Sequence, residues 1–192
     1  MFWILSLLLL LPSPYRKGEE ELYIKPTSYV EVHGASNVMD FSCKIGGEYF
    51  ADTVRVQYED QVERFVFRNF DFNLPVEKFA CGNFVLNSDF KRTLCEEDHP
   101  VMQVRLLSFR RTRVNKVSKM DWGMLEAEFT IAGVTKIYTS EVRRGLVSEG
   151  FNMKGTLPVN MCEFGLEARS SVPLVKVEDA LQVEFDFIFE QL

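Results

Sequence analysis

Histidine is sparse in this 192-residue chain, and the spacing of its acid–base, nucleophilic and metal-ligating side chains argues against most such chemistry. There are two histidines, His33 and His99. His33 shares strand parity with Glu31, which turns it towards water. His99 ends the run Cys95-Glu96-Glu97-Asp98-His99, which strings together metal-ligating residue types. Adjacent residues on a helix point apart, and acids at a helix C-terminus oppose its dipole. A solvated helix end is the better reading, with Arg92 placed to pair with Glu96 four residues on. No G-x-S-x-G, H-E-x-x-H, C-x-x-C or G-x-G-x-x-G occurs. A nucleophilic triad would need one of the two histidines beside a Ser or Cys, and nothing in the sequence supplies that. The expectation is a protein without catalytic residues, metal or cofactor, and a hydrolase acting on a bound amphiphile is the weakest of the readings weighed.

Four cysteines, Cys43, Cys81, Cys95 and Cys162, allow three full pairings, and spacing does not choose among them. Parity groups Cys43 with Met39 and Phe41, and Cys162 with Phe164 and Leu166, so both thiols should point inward. Buried thiols and a disulfide both fit. A basic stretch, Arg105, Arg110, Arg111, Arg113, Lys116 and Lys119, is followed by Trp122. The plain reading is a solvated hairpin. The functional one is a positive mouth facing anionic lipid headgroups in transient membrane contact. The net charge of −6 argues against nucleic acid as a partner.

The elements that would carry these residues are mostly strands. In 125–142 (LEAEFTIAGVTKIYTSEV), Leu125, Ala127, Phe129 and Ile131 alternate with Glu126, Glu128 and Thr130. That is the period of a half-buried antiparallel strand, and Gly133 can take the positive φ of a tight hairpin. The same grammar recurs at Val30 to Val32, Val38 to Ile45, Thr53 to Tyr58, Arg64 to Leu74, Val101 to Phe109, Gly123 to Ile131, Val134 to Val142, Phe151 to Val159 and Val183 to Phe189. Within Arg64 to Leu74 the apolar phase slips from odd (Phe65, Phe67) to even (Phe70, Phe72, Leu74), which predicts a bulge near Arg68-Asn69. Asn87 to Asp98 breaks the alternation. Asn87 or Ser88 can cap a short helix that lays Phe90 and Leu94 over the β body before Pro100 stops it.

Eight or more such strands and one helix make a closed barrel or a sandwich. An eight-stranded barrel has room for one apolar ligand. By parity the inward residues include Phe41, Phe65, Phe67, Phe129, Ile131, Phe151, Met153, Phe185 and Phe187, with Phe90 and Leu94 as a helical lid. These are the candidate ligand-binding residues. The competing reading is a structural or interaction module whose barrel is filled by the same side chains.

The first eleven residues, MFWILSLLLLL, are too short to span a bilayer, which takes roughly 20 residues as a helix. They resemble the apolar core of an export signal, without a preceding cation or a clean cleavage site. Residues 14–22 (PYRKGEEEL) show no pattern and look like a charged linker. The expected division is 1–21 for signal and linker and 22–192 for one domain. A homodimer is left open.

Four segments resemble the YceI-like family of polyisoprenoid-binding, lipocalin-like proteins. GASNVMDFSC (34–43) is similar to that family's first Gly-Thr-Ser-Asn-Val strand, and CGNFVLNSDFKRTLCEEDHP (81–100) to its Gly-Asn, helix and His-Pro segment. TIAGVTK (130–136) is similar to its Gly-Val-Thr-Lys hairpin, and NMCEFGLEA (160–168) with Val175 to Phe189 to its closing strands. Ala35 stands where Thr is usual and Glu163 where Asp is common. The resemblance implies an extended antiparallel eight-stranded lipocalin-like β-barrel with one short helix. It further implies an isoprenoid chain or quinone tail held inside, no catalytic residues, and a periplasmic or secreted location.

Overall fold

The computed structural model describes residues 15–61, 63–115, 119–148 and 150–192. The apolar run 1–11 and Lys116 lie outside the described residues. Eleven strands are present among them: β1 Tyr15–Ile24, β2 Tyr29–Ala35, β3 Asp40–Gly46, β4 Thr53–Gln61, β5 Arg64–Arg68, β6 Asp71–Pro75, β7 Val101–Asn115, β8 Met120–Ile131, β9 Val134–Val147, β10 Gly150–Asn160 and β11 Ala180–Gln191. One α-helix, α1 (Phe84–Thr93), lies between β6 and β7.

Eight strands form a closed antiparallel ring in the order β1-β4-β5-β7-β8-β9-β10-β11, with β1 pairing back to β11 through Leu22↔Gln191 and Ile24↔Phe189. Closure leaves no exposed sheet edge around that ring. The long strands then extend past it. The first half of β7 pairs with β6 (Asp71↔Arg105 to Pro75↔Val101) and its second half with β5 (Arg64↔Arg110 to Val66↔Ser108). The start of β11 pairs with β2 (Gln182↔His33 to Asp186↔Tyr29), and β3 adds to β2. The barrel therefore has a ring end, bounded by β1, β4 and β5, and a lid end, bounded by β2, β3 and β6. At the lid end the β3–β6 gap is bridged by a reciprocal hydrogen-bond pair between Lys44 and Ala80, each 2.9 Å, and by a disulfide between Cys43 and Cys81.

Several sequence expectations meet their physical test here. The β8–β9 hairpin turns on Ala132 (φ 48°) and Gly133 (φ 78°), the two positive φ values of a type I′ turn. The phase slip after Phe67 occurs at the expected place, but as a strand break rather than a one-residue bulge: Asn69 takes φ 56° between β5 and β6, and Phe70, Phe72 and Leu74 are then buried. The segment read as a patternless linker is strand from Tyr15 onward. It pairs with β4 over nine residues (Tyr15↔Gln61 to Tyr23↔Thr53). Its alternation was hidden because the outward Glu19 and Glu21, which pair with Arg55, flank an inward Glu20 that accepts a hydrogen bond from the Tyr58 hydroxyl at 3.1 Å.

The helix begins earlier than expected. Asn83 caps it, its side chain accepting from the Leu86 amide at 2.9 Å, while Asn87 accepts from the Cys81 amide at 2.6 Å. It ends before the acidic run: Cys95 turns left-handed at φ 53°. Arg92 therefore pairs with Asp89, not with Glu96. Cys95 and Cys162 are free. Cys162 is exposed instead of inward because 161–164 is a 3₁₀ turn, where Met161 and Phe164 take the buried side and strand parity does not apply.

The Cys43–Cys81 bridge closes a loop of 38 residues that ties β3 to the segment leading into α1. Restricting the unfolded chain by such a loop stabilises by about 3–4 kcal/mol. The double variant Cys43→Ala/Cys81→Ala should unfold at lower urea with a loss of that order, and dithiothreitol should do the same to the native chain but leave the double variant unaffected. Equal midpoints for the two proteins would show that the bridge contributes nothing.

An apolar chamber under a helical roof

Inside the lid end lies a cavity of about 370 Å³. Its boundary falls at one level on strand after strand. On β11 the inward residues Leu181, Val183, Phe185 and Phe187 line it, and the next, Phe189, does not. On β8 the lining runs Ile131, Phe129, Ala127, Leu125 and stops before Gly123. On β7 it runs Met102, Val104, Leu106 and stops before the fully buried Phe109. On β10 it takes Val159 and Leu157 but not Gly155 or Met153, on β3 Phe41 and Cys43 but not Ile45, and on β6 Leu74 but not Phe72.

Below that level the bore is filled. Phe187 meets Phe72 (5.0 Å between ring centroids), Phe185 (5.2 Å) and Phe50 (6.2 Å). Phe189 continues the packing to Phe151 (5.0 Å) and Phe70 (5.1 Å), and Phe70 to Phe67 (5.3 Å), which stacks on Phe65. Glycines make space for this bulk. A Cβ at Gly155 would lie 2.8 Å from the Phe185 ring, and one at Gly123 2.5 Å from that of Phe109. The rings finish on cations: Arg111 sits 4.8 Å over Phe65 and Arg144 5.0 Å over Phe151, with Asp60 and Asp121 paired to them at 3.6 and 3.5 Å. Burial pushes the Arg144 guanidinium pKa down; the Asp121 carboxylate acts against this and Arg111 adds to it.

Of the residues singled out by parity, Phe41, Phe90, Leu94, Phe129, Ile131, Phe185 and Phe187 line the chamber. Phe65, Phe67, Phe151 and Met153 do not; they face inward but below the floor, in the packed half. The lining residues that parity passed over are mainly small or aliphatic: Val30, Val32, Val104, Leu106, Leu125, Ala127 and Leu157. Their signal is present in the alternation, but a choice by bulk misses them, because bulky rings fill a bore and small side chains leave it open.

The roof is α1 together with 166–177. Leu86, Phe90 and Leu94 face down, and Phe90 packs on Phe79 at 5.2 Å. A polar clasp holds the two pieces together. The buried Asp89 accepts from the Ser171 amide at 2.8 Å and from the Ser171 hydroxyl, and pairs with Arg92. Burial raises the Asp89 pKa, but these donors together outweigh it and hold the carboxyl below its ordinary value. The Arg169 amide donates to Thr93 Oγ1 at 3.0 Å. Beside this roof, side chains from three segments stand in solvent: Val38 and Met39 (64% and 61% exposed), Phe84 (83%) and Leu174 (90%). Asn37 ties the first segment to the third, donating to the Leu174 carbonyl at 3.1 Å and accepting from the Lys176 amide at 2.9 Å.

The basic stretch is not at this mouth. Arg110, Arg111, Arg113 and Lys119 lie towards the ring end, at least four residues beyond Leu106, or roughly 13 Å along β7. Arg111 points inward to Asp60, Arg105 pairs with Glu128 on the outside, and Arg113 covers Trp122. His33, half-buried on β2, and His99, packed against the Gly133 turn, belong to different places. Among the described residues no three His, Cys, Asp or Glu side chains are grouped to hold a metal ion, and no helix is long and apolar enough to cross a membrane.

Several solved structures resemble this one, two of them over most of both chains. A polyisoprenoid-binding domain from Saccharophagus degradans superposes with a TM-score of 0.61 at 12% identity, covering 89% of this chain and 98% of its own. BcnA from Burkholderia cenocepacia superposes with a TM-score of 0.59 at 13% identity, covering 83% of this chain and 94% of its own. At such identity the likeness speaks for the fold. No curated protein matches by sequence. The model of the YceI-like domain matches residues 27–189, and the chain belongs to that family.

Proposed function

We propose that this protein is a non-catalytic carrier that shelters the apolar tail of an isoprenoid or similar lipid in the lid half of its barrel. The observation that carries the reading is the chamber: a void of about 370 Å³ walled by Val, Leu, Met and Phe, whose charged neighbours, Asp89 and Arg169, come from the roof. That volume is at the lower end of the range for small-molecule sites, so it suits a length of chain rather than the whole of a long lipid. Burial at about 25 cal/mol per Å² would reward roughly 200 Å² of tail with ~5 kcal/mol without any polar anchor. The likeness to a polyisoprenoid-binding domain supports the ligand class. A wholly filled barrel would not leave this void. No cofactor is required.

The reading extends to place and partner. A disulfide between Cys43 and Cys81 suits an oxidising compartment, the periplasm or the outside. The exposed Val38, Met39, Phe84 and Leu174 beside the chamber suit contact with a bilayer, from which a tail could pass inward with little exposure to water. This moves the membrane-facing end from the basic stretch to the roof.

Gently purified protein examined by native mass spectrometry should carry a lipid-sized adduct, or take up a quinone or prenyl alcohol added to it; a bare spectrum after such exposure would refute the carrier reading. Phe84→Ser/Leu174→Ser should weaken vesicle binding several-fold while charge reversal of Arg110 and Arg113 leaves it unchanged, as followed by flotation. The clasp should govern exchange. Asp89→Ala should speed release of a fluorescent lipid about tenfold. In the native chain the Asp89 carboxyl is held low, so the clasp is intact above its unfolded pKa and fails as pH falls through the lower folded value, and release should quicken only in that acid range. Stopped-flow release traces with no dependence on Asp89 would mean that α1 does not control access.

A further inference from the structure

The floor of the chamber is as well built as its walls, and it rests on rings from three separate elements. Phe187 comes from β11, Phe72 from β6, and Phe50 from the turn after the 3₁₀ segment Gly47–Tyr49. Their centroids lie 5.0 to 6.2 Å apart, an edge-to-face and stacked cluster that spans the bore. All three are at most 5% exposed. Directly beneath, Phe189 and Phe70 are fully buried, so the cluster cannot sink. Deeper still lie the paired Arg111 and Arg144, which an apolar chain would have to separate from their carboxylates to pass.

We propose that Phe187, braced by Phe72 and Phe50, is a chain-length stop: it sets how much of a linear prenyl tail the protein can take in. This rests on the carrier reading above. The lining of β11 runs from Leu181 to Phe187, about 20 Å along the strand, and a 35–45° barrel tilt reduces that to roughly 15 Å of depth. A tail that fits within this depth gains from every added methylene. A longer tail gains nothing more, because its remainder stays outside the roof. The bore of an eight-stranded ring could accept a chain along its whole length; here the side chains, not the backbone, divide it.

The test measures dissociation constants for linear prenyl alcohols of two, three, four and nine isoprene units by displacement of a fluorescent lipid, with circular dichroism and a melt on each protein. In the native protein affinity should climb through the short alcohols and then level off. Phe187→Leu should move the plateau one step longer, with the next alcohol binding about tenfold tighter, the gain expected from one or two more buried methylenes. Ala127→Met, which adds bulk to the wall above the floor, should move it one step shorter. Phe65→Leu, in the packed half, should leave it in place. A plateau that stays put in both Phe187→Leu and Ala127→Met overturns the stop, as does native affinity that keeps rising to nine units, and either result leaves the carrier reading standing. Should Phe187→Leu fail to fold, the direction of the Ala127→Met shift decides alone. Binding of no alcohol at any length overturns the carrier reading and the stop with it.

Discussion

The volume of side chains inside a closed ring of eight strands is the constraint on which everything else depends. Ring closure fixes the bore and removes the sheet edge, so the backbone is satisfied whatever the interior holds. What decides between a solid core and a chamber is then a local count of carbon. Towards the ring end the interior holds the buried Phe109 and the rings of Phe65, Phe67, Phe70, Phe189 and Phe151, which pack one on the next. Towards the lid end the same strands carry Val104, Leu106, Leu125, Ala127 and Leu157, and they do not reach each other across the axis. One fold thus holds a conventional core and a void, and the core supplies the stability that the void forgoes.

Charge follows the same partition. A guanidinium taken from water costs several kcal/mol unless it is paired, and burial acts on Arg144 in that sense, lowering its pKa. It is tolerated because Asp121 lies 3.5 Å away and because Phe151 offers its face at 5.0 Å. Arg111 is similarly placed between Asp60 and Phe65. The ring end is thereby closed by ion pairs lying on aromatic faces. Among the described residues the buried carboxylate of the lid end is Asp89, and it sits in the roof, where its partners Ser171 and Arg92 join two pieces of the roof rather than close a wall.

Much of this was legible in the chain. Alternation gave nearly every strand, the slip after Phe67, the hairpin at Gly133 and the inward facing of Cys43, because a half-buried strand repeats every two residues and that period is visible without any partner. What failed did so for definite reasons. β1 carries glutamates on both faces, and its strand nature comes from nine paired residues on β4 that a local reading cannot supply. Cys162 and the limits of α1 were lost to a 3₁₀ turn and to a cap at Asn83 four residues upstream of the one expected. Seven of the eleven residues singled out by parity line the chamber. Parity tells which side of a strand faces the axis but not how far down it lies. Height depends on register around the ring, and so Phe151 and Phe185, both inward on paired strands, ended on opposite sides of the floor.

Height also explains why the chamber is where it is. At the ring end every strand has two strand neighbours. At the lid end β3 and β6 do not meet, and the gap is closed by one reciprocal pair of hydrogen bonds at Lys44 and Ala80 and by the Cys43–Cys81 bridge. A wall interrupted in this way must be covered by something other than sheet, and the chain that leaves β6 provides it: the bridge fixes Cys81, two residues later Asn83 caps α1, and the helix turns Leu86, Phe90 and Leu94 onto the opening. A helix laid over an opening need not fill it, whereas a paired strand would bring its own row of inward side chains. The void, its roof and its covalent brace are therefore consequences of a single interruption in the sheet, and the helix over the chamber is held by a few polar contacts rather than by the strand pairing that forms its walls.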